Sequence, residues 1–105
     1  MKNLILFFLI GVATLSYGQQ FSQKWTDLNY AGDSKEYHLL DIYLPKVVKE
    51  SYPVVVYIYG SAWYSNNLKG ADMNTVGKAL LDAGYAVATP NHRSSSDTLF
   101  PGQIH

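Results

Sequence analysis

Apolar and polar positions change their spacing along the chain, and each spacing predicts an element. Residues 23 to 30, Gln-Lys-Trp-Thr-Asp-Leu-Asn-Tyr, read as a strand with mixed alternation. Ala31-Gly32-Asp33-Ser34 is turn chemistry, because Gly accepts positive φ and Asp and Ser bond back to local amides. From Lys35 to Leu44 the pattern alternates. Leu40, Ile42 and Leu44 fall on one face, and Tyr37, Leu39, Asp41 and Tyr43 on the other. Pro45 stops this strand. Two strands joined by a short Gly-containing loop predict a hairpin, and residues 46 to 52 form a polar connection.

At Val54 the alternation gives way to a continuous run, Val54-Val55-Val56-Tyr57-Ile58-Tyr59. A run of this kind predicts a strand covered on both faces, as in a parallel sheet. Gly60 ends it, and a loop runs from Ser61 to Gly70. Asp72 is placed to be a helix N-cap. Met73, Val76, Leu80 and Ala83 recur at helical spacing with Ala79 beside them, and Gly84 is a C′ stop. Tyr85 to Thr89 is a second buried strand, ended by Pro90. Residues 54 to 89 therefore predict a strand-helix-strand unit whose crossover is right-handed. Beyond it, Asn91 to Leu99 is a Ser-rich polar loop. Pro101 suits the first turn of a helix that Gln103, Ile104 and His105 would continue.

The first residues follow a different logic. Lys2 precedes an apolar run from Leu4 to Leu15, and Ser16-Tyr17-Gly18 offers a small-x-small cleavage site. This order predicts a signal peptide over 1–18, removed to leave Gln19 at the N-terminus. The run is shorter than the roughly 20 apolar residues that a bilayer-spanning helix needs. The expected location is the periplasm or the medium, with no stable membrane anchor after cleavage. The alternative is a buried N-terminal helix.

Composition narrows the class. Eight basic and eight acidic residues balance, and no basic run suggests nucleic acid or anionic lipid. The absence of cysteine excludes a lipid-anchored lipoprotein, a disulfide framework and a thiolate metal site. An exported domain of this kind must hold together by its core alone. Domains near this size bury only roughly 60 to 65% of their unfolded surface.

The chemistry-bearing residues are sparse. No Gly-x-Ser-x-Gly occurs in the sequence. Ser94, Ser95 and Ser96 neighbour His92 and Asp97, which invites a catalytic-triad reading, but triads are recognised by geometry and not by sequence adjacency. A polar Ser-rich loop is the ordinary explanation. His92 and His105 lack a third ligand at sensible spacing, so no metal and no cofactor is expected. His38 reads as a strand residue, solvated or paired across the hairpin. Asp41 reads as a strand-edge charge and Asp72 as a helix cap.

Tyr59-Gly60-Ser61-Ala62-Trp63, following an apolar strand, resembles the His-Gly-Gly-Gly-Trp segment of α/β-hydrolase esterases, in particular the group that deacetylates xylan or cleaves feruloyl esters. Leu40 to Pro45 is similar to that group's second strand, and Lys69-Gly70 falls where its loop leads into the first helix. Ala83 to Ala88 resembles its helix-to-strand step. Asn91-His92-Arg93 resembles the Asn-Tyr-Arg at the end of its fourth strand, and Phe100 to His105 the opening of its next helix. The resemblance covers nearly all of residues 24 to 105.

It implies an α/β fold: the N-terminal portion of an α/β-hydrolase sheet over residues 19 to 105, an antiparallel hairpin followed by a βαβ unit. Strand four would lie between strands two and three. It also implies carboxylic-ester hydrolysis, with acylated polysaccharide as a substrate class. Acyl transfer passes through a tetrahedral oxyanion, and each well-placed donor lowers the barrier by about 3 to 4 kcal/mol. The resemblance assigns the oxyanion-hole loop to Gly60, Ser61 and Ala62. The amides of Ser61 and Ala62 are the donors, Gly60 gives the turn, and Trp63 and Tyr64 wall the pocket. Tyr59 replaces the family His, and Ser61 and Ala62 replace glycines. The bland alternative is a tight turn with aromatic packing.

In this group the nucleophile elbow follows the fifth strand, and the acid and the His come later. All three are expected beyond His105, so the chain alone is expected to be inactive, its ester substrate acted on only when the domain is completed. Val54 to Ile58 would then form an open apolar sheet edge that promotes self-association. A competing reading is a small non-catalytic module that stacks sugar on Trp25, Trp63 and Tyr64. Another is a half-domain completed by a partner chain.

Overall fold

The computed structural model describes residues 21–104, so the expected signal peptide and His105 lie outside it. Four strands form one mixed sheet. They are β1 (Phe21–Asn29), β2 (Leu39–Pro45), β3 (Val54–Val56) and β4 (Ala86–Pro90), in the order β1-β2-β4-β3. β1 pairs antiparallel with β2 and β2 antiparallel with β4, while β3 and β4 are parallel. This is the order expected of the hydrolase sheet. A π turn, Met73–Gly77, runs into the helix α1 (Lys78–Asp82), which connects β3 to β4.

The hairpin is tighter than the alternation implied. β2 starts at Leu39, because Glu36–His38 coil into a 3-10 turn. The Asn29 carboxamide accepts the amides of Ala31 and Asp33, and the Asp33 carboxylate accepts the Lys35 amide. That amide bond, with the Asn29 and His38 side chains, holds the Asp33 carboxyl down at about 2. His38 is therefore not a strand residue. Its Nδ1 lies 2.6 Å from Asp33 Oδ2 in the turn.

Register sets which side chains share a face. Tyr43 is opposite Val87, and Val87 is opposite Val55. α1 packs on this side, where Tyr43, Leu81 and Val87 form the core with Phe21, Tyr57, Met73 and Leu80 around them. The other row runs through Trp25, Ile42, Ala88 and Val56. No helix among the described residues covers it. Val54, Val56 and Ile58 are therefore about 60% exposed, at 62%, 60% and 62%. The expectation that β3 is covered on both faces is corrected, since only Val55, Tyr57 and Tyr59 face inward.

The helix also turns a different face inward from the one its periodicity suggested. Val76, Ala79 and Ala83 are exposed, and Met73, Gly77, Leu80 and Leu81 are covered. The π turn shifts the phase: the Gly77 amide donates to the Asp72 carbonyl, five residues back. A Cβ at Gly77 would meet Met73 Sδ at 2.5 Å, so a larger residue there would make the flexible end of Met73 shift. Asp72 makes no side-chain cap; its carboxylate instead accepts the Tyr57 hydroxyl at 2.6 Å. The stop at Gly84 is as expected. It has φ 92°, and the amides of Gly84 and Tyr85 donate to Leu81 and Leu80, the Schellman pattern.

Candidate functional site

The loop after β3 leaves the sheet at Tyr59 and returns at Lys69. Its return is fixed by side chains from three strands. Lys69 Nζ lies 2.9 Å from Asp27 and 3.0 Å from Asp41. The Lys69 amide donates to Asn91 Oδ1 at 3.1 Å, and its carbonyl accepts the Thr89 hydroxyl. Asp41, Thr89 and Asn91 are 4%, 0% and 2% exposed. Burial pulls the Lys69 pKa down, but the bonds to Asp27 and Asp41 outweigh it and leave it above the ordinary value. Asp41 is thus not an edge charge. It is a buried acceptor that also takes the Asp27 amide at 2.9 Å.

Asn91 extends the same network. Its Nδ2 donates to Glu36 O, its amide donates to Leu39 O, and its carbonyl accepts the Tyr30 hydroxyl. Sequence reasoning saw Asn91 and Lys69 only as pieces of a pattern. An Asn directly after a strand-ending Pro was the one local signal, since its amide can satisfy backbone groups where a ladder stops.

Between these anchors the chain turns sharply. The Tyr64 amide donates to Ser61 O at 3.0 Å, with Ala62 and Trp63 at φ 50° and 66°. The left-handed residues of the turn are therefore Ala62 and Trp63, and Gly60 is not among them. Ser61 Oγ closes the loop from inside, donating to Ser65 O and accepting the Ser65 amide. Among the described residues no acceptor takes the amides of Ser61 or Ala62. A cavity of about 460 Å³ opens beside them, lined by Ile58, Tyr59, Gly60, Ser61, Ala62, Trp63, His92, Gln103 and Ile104. Tyr64 is not in this lining and is 77% exposed.

The Ser-rich segment is a separate structure. Ser94 is fully buried, and its amide and hydroxyl both donate to Asp97 Oδ2, at 2.8 and 2.9 Å. Burial pushes the Asp97 carboxyl up, but the Ser94 and Asn66 bonds outweigh it and hold it below the usual range. The Ser95 amide and hydroxyl reach across to Trp63 O, tying this segment to the loop. His92 joins none of these serines. Its Nδ1 lies against Arg93 O and its ring stacks on Tyr59. Ser94, Ser96 and Asp97 make a capped turn, and no triad forms from them. Among the described residues no three His, Asp or Glu side chains gather as a metal site.

No curated protein matches the chain. A solved structure described as a truncated form of carbohydrate esterase from gut microbiota is similar at 50% identity and a TM-score of 0.78, over 81% of this chain and 30% of that one. The bifunctional GH43-CE of Bacteroides eggerthii is similar at 57% identity and a TM-score of 0.74, over 77% of this chain and 11% of that one. Esterase B from Lactobacillus rhamnosis, at 21% identity and a TM-score of 0.65, shares the fold over 98% of this chain and 33% of its own. The chain thus spans less than a third of the length of the first two. The BD-FAE family model matches residues 40–105, a stretch that holds β2, the amide loop, the helix and β4, and the chain belongs to this esterase-like family of α/β-hydrolases.

Proposed function

We propose that this chain supplies the oxyanion-binding part of an exported carboxylic-ester hydrolase acting on acylated polysaccharide. The observation that carries this reading is the pair of unengaged amides at Ser61 and Ala62 on the edge of a cavity. Donors already fixed in place cost no reorganisation when charge develops on a carbonyl oxygen. The loop is held at both ends, at Tyr59 and at the Lys69 network, so the amides are preorganised. Trp63 forms a wall of the cavity. The nucleophile, acid and histidine come from outside these 105 residues, and water or an alcohol cannot be activated by the loop alone. The carbohydrate-esterase neighbours support a sugar-linked ester as substrate.

The test is to assay the 105-residue chain on p-nitrophenyl acetate and acetylated xylan. The same chain extended by the coding sequence downstream of codon 105 is assayed beside it. The short chain is expected to release nothing above the blank, and the extended chain to release acetate. Acetate release by the short chain would overturn the division of labour. An extended chain that binds xylo-oligosaccharide but releases no acetate would favour a sugar-stacking module built on exposed Trp63 and Tyr64.

A further inference from the structure

The amide loop is also gripped from outside, by the segment that follows β4. Asn91 takes the Lys69 amide, and the amide and hydroxyl of Ser95 donate to Trp63 O at 2.7 and 3.0 Å. A third contact joins two side chains. Asn66 Nδ2 donates to Asp97 Oδ1 at 3.1 Å and to Asp97 Oδ2 at 2.9 Å. Asp97 also builds the turn that carries Ser95. Its own amide donates to Ser94 O, and its Oδ2 accepts the amide and the hydroxyl of the fully buried Ser94. One exposed carboxylate thus collects donors from two segments, with 31 residues between Asn66 and Asp97.

An Asp that only capped its own turn would leave its second oxygen to water. Here that oxygen holds Asn66. Asn66 follows Ser65, which closes on Ser61 through both bonds of the Ser61 hydroxyl. Trp63 O, the other gripped atom, lies between Ala62 and Tyr64 in the chain. The Ser61 and Ala62 amides are therefore followed directly by two fixed points. We infer that Asp97 is a positioning residue of this loop: its carboxylate clasps Asn66 to the Ser94 turn and so sets the direction in which the Ser61 and Ala62 amides point. Its bearing on catalysis rests on reading residues 60–63 as the amide-donor loop. The clasp needs a carboxylate, which offers about four acceptor sites and no hydrogen. Once protonated, the group would set its O–H against one of these donors. Burial pushes the Asp97 carboxyl up, but the Ser94 and Asn66 bonds hold it below the usual range. The clasp is therefore present above the ordinary carboxylate range and is lost as pH falls through the lowered midpoint. No charged side chain is among the causes of that shift, and Tyr59, on the loop, feels the Asp97 charge.

The test is a cycle on the full chain: parent, Asn66→Ala, Asp97→Ala and the double variant. Hydrogen exchange is followed at the amides of Tyr64, Ser65 and Ser95, with the β2–β4 ladder as internal reference. Asn66→Ala is expected to speed Tyr64 and Ser65 by about tenfold, the scale of one lost hydrogen bond, and to leave the ladder protected. Asp97→Ala also uncaps Ser94, so it should speed all three amides by at least as much. The double variant is expected to exchange no faster than Asp97→Ala, because Asn66 acts through that carboxylate. Effects that multiply make the two residues independent and overturn the inference. Unchanged exchange at Tyr64 and Ser65 in Asn66→Ala also overturns it, and leaves Asp97 as a cap of its own turn. Asn66→Ala keeps that cap, so it decides the matter even where Asp97→Ala unfolds. A pH series separates positioning from a general loss of stability. In the parent, loop exchange corrected for the intrinsic rate should rise as pH falls through the Asp97 midpoint, and this step should vanish in Asp97→Ala. A step that persists there belongs to another acid, such as Asp33, and overturns the inference. No readout here involves ester turnover, so an extended chain without esterase activity would remove the bearing on catalysis and keep the clasp.

Discussion

Ala62 and Trp63 sit at φ 50° and 66° without being glycines. For an L-residue the left-handed region costs roughly 1–2 kcal/mol, because Cβ crowds the following carbonyl. The turn keeps this strain because the Ser61–Tyr64 bond and the two bonds from Ser95 to Trp63 O fix it from both sides. Ala62→Gly relieves one of the two strained residues and is expected to stabilise the chain by about 1 kcal/mol, after the extra freedom that glycine brings to the unfolded state. Urea unfolding measures it, and a loss of stability would mean that the methyl makes a contact worth more than the strain. The loop itself was legible in Tyr59 to Trp63, read against a known motif. Which residues take positive φ was not, since the usual marker is glycine and the glycine here, Gly60, is not one of them.

The loop, β1, β2 and β4 meet at Lys69. The Asp41 end of the ion pair is nearly fully buried and little screened by solvent, whereas Asp27 is largely exposed and contributes less. Lys69→Met leaves Asp41 buried with only the Asp27 amide, and is expected to cost about 3 kcal/mol, the scale of breaking one side of a buried pair. Lys69→Arg should cost less. Urea unfolding checks both, and a Met variant as stable as the parent would show that the pair does not anchor the loop. Alternation placed Asp41 on the same face as Tyr43, which is where it lies. It could not reveal the burial, because the covering residue comes from a loop far along the chain. The helix shows the same limit. Its existence and its Gly84 stop were readable, but a π turn at Met73–Gly77 moved the inward face onto Leu81.

In the whole molecule one face of the sheet carries the helix and the other shows apolar side chains to solvent. Trp25, Val54, Val56 and Ile58 are all exposed on or beside the β3 edge of that open face or along its row. Exposed apolar edges of this kind template association. The chain is expected to associate with rising concentration, and Val56→Lys with Ile58→Lys to shift it toward monomer with its melting temperature little changed. Sedimentation velocity would read this, and an unassociated parent chain would count against it. The sequence by itself determined the hairpin, the βαβ unit and the family motif, because these rest on local spacing, Gly and Pro punctuation and short patterns, while the place of β4 between β2 and β3 was implied only by the family resemblance. Only the tertiary structure decided which sheet face is covered, that Asp41 and Asn91 are buried, and that Tyr59 touches His92. Those depend on residues distant in the chain, and no local pattern records which distant side chain will supply the missing hydrogen bond or the covering surface.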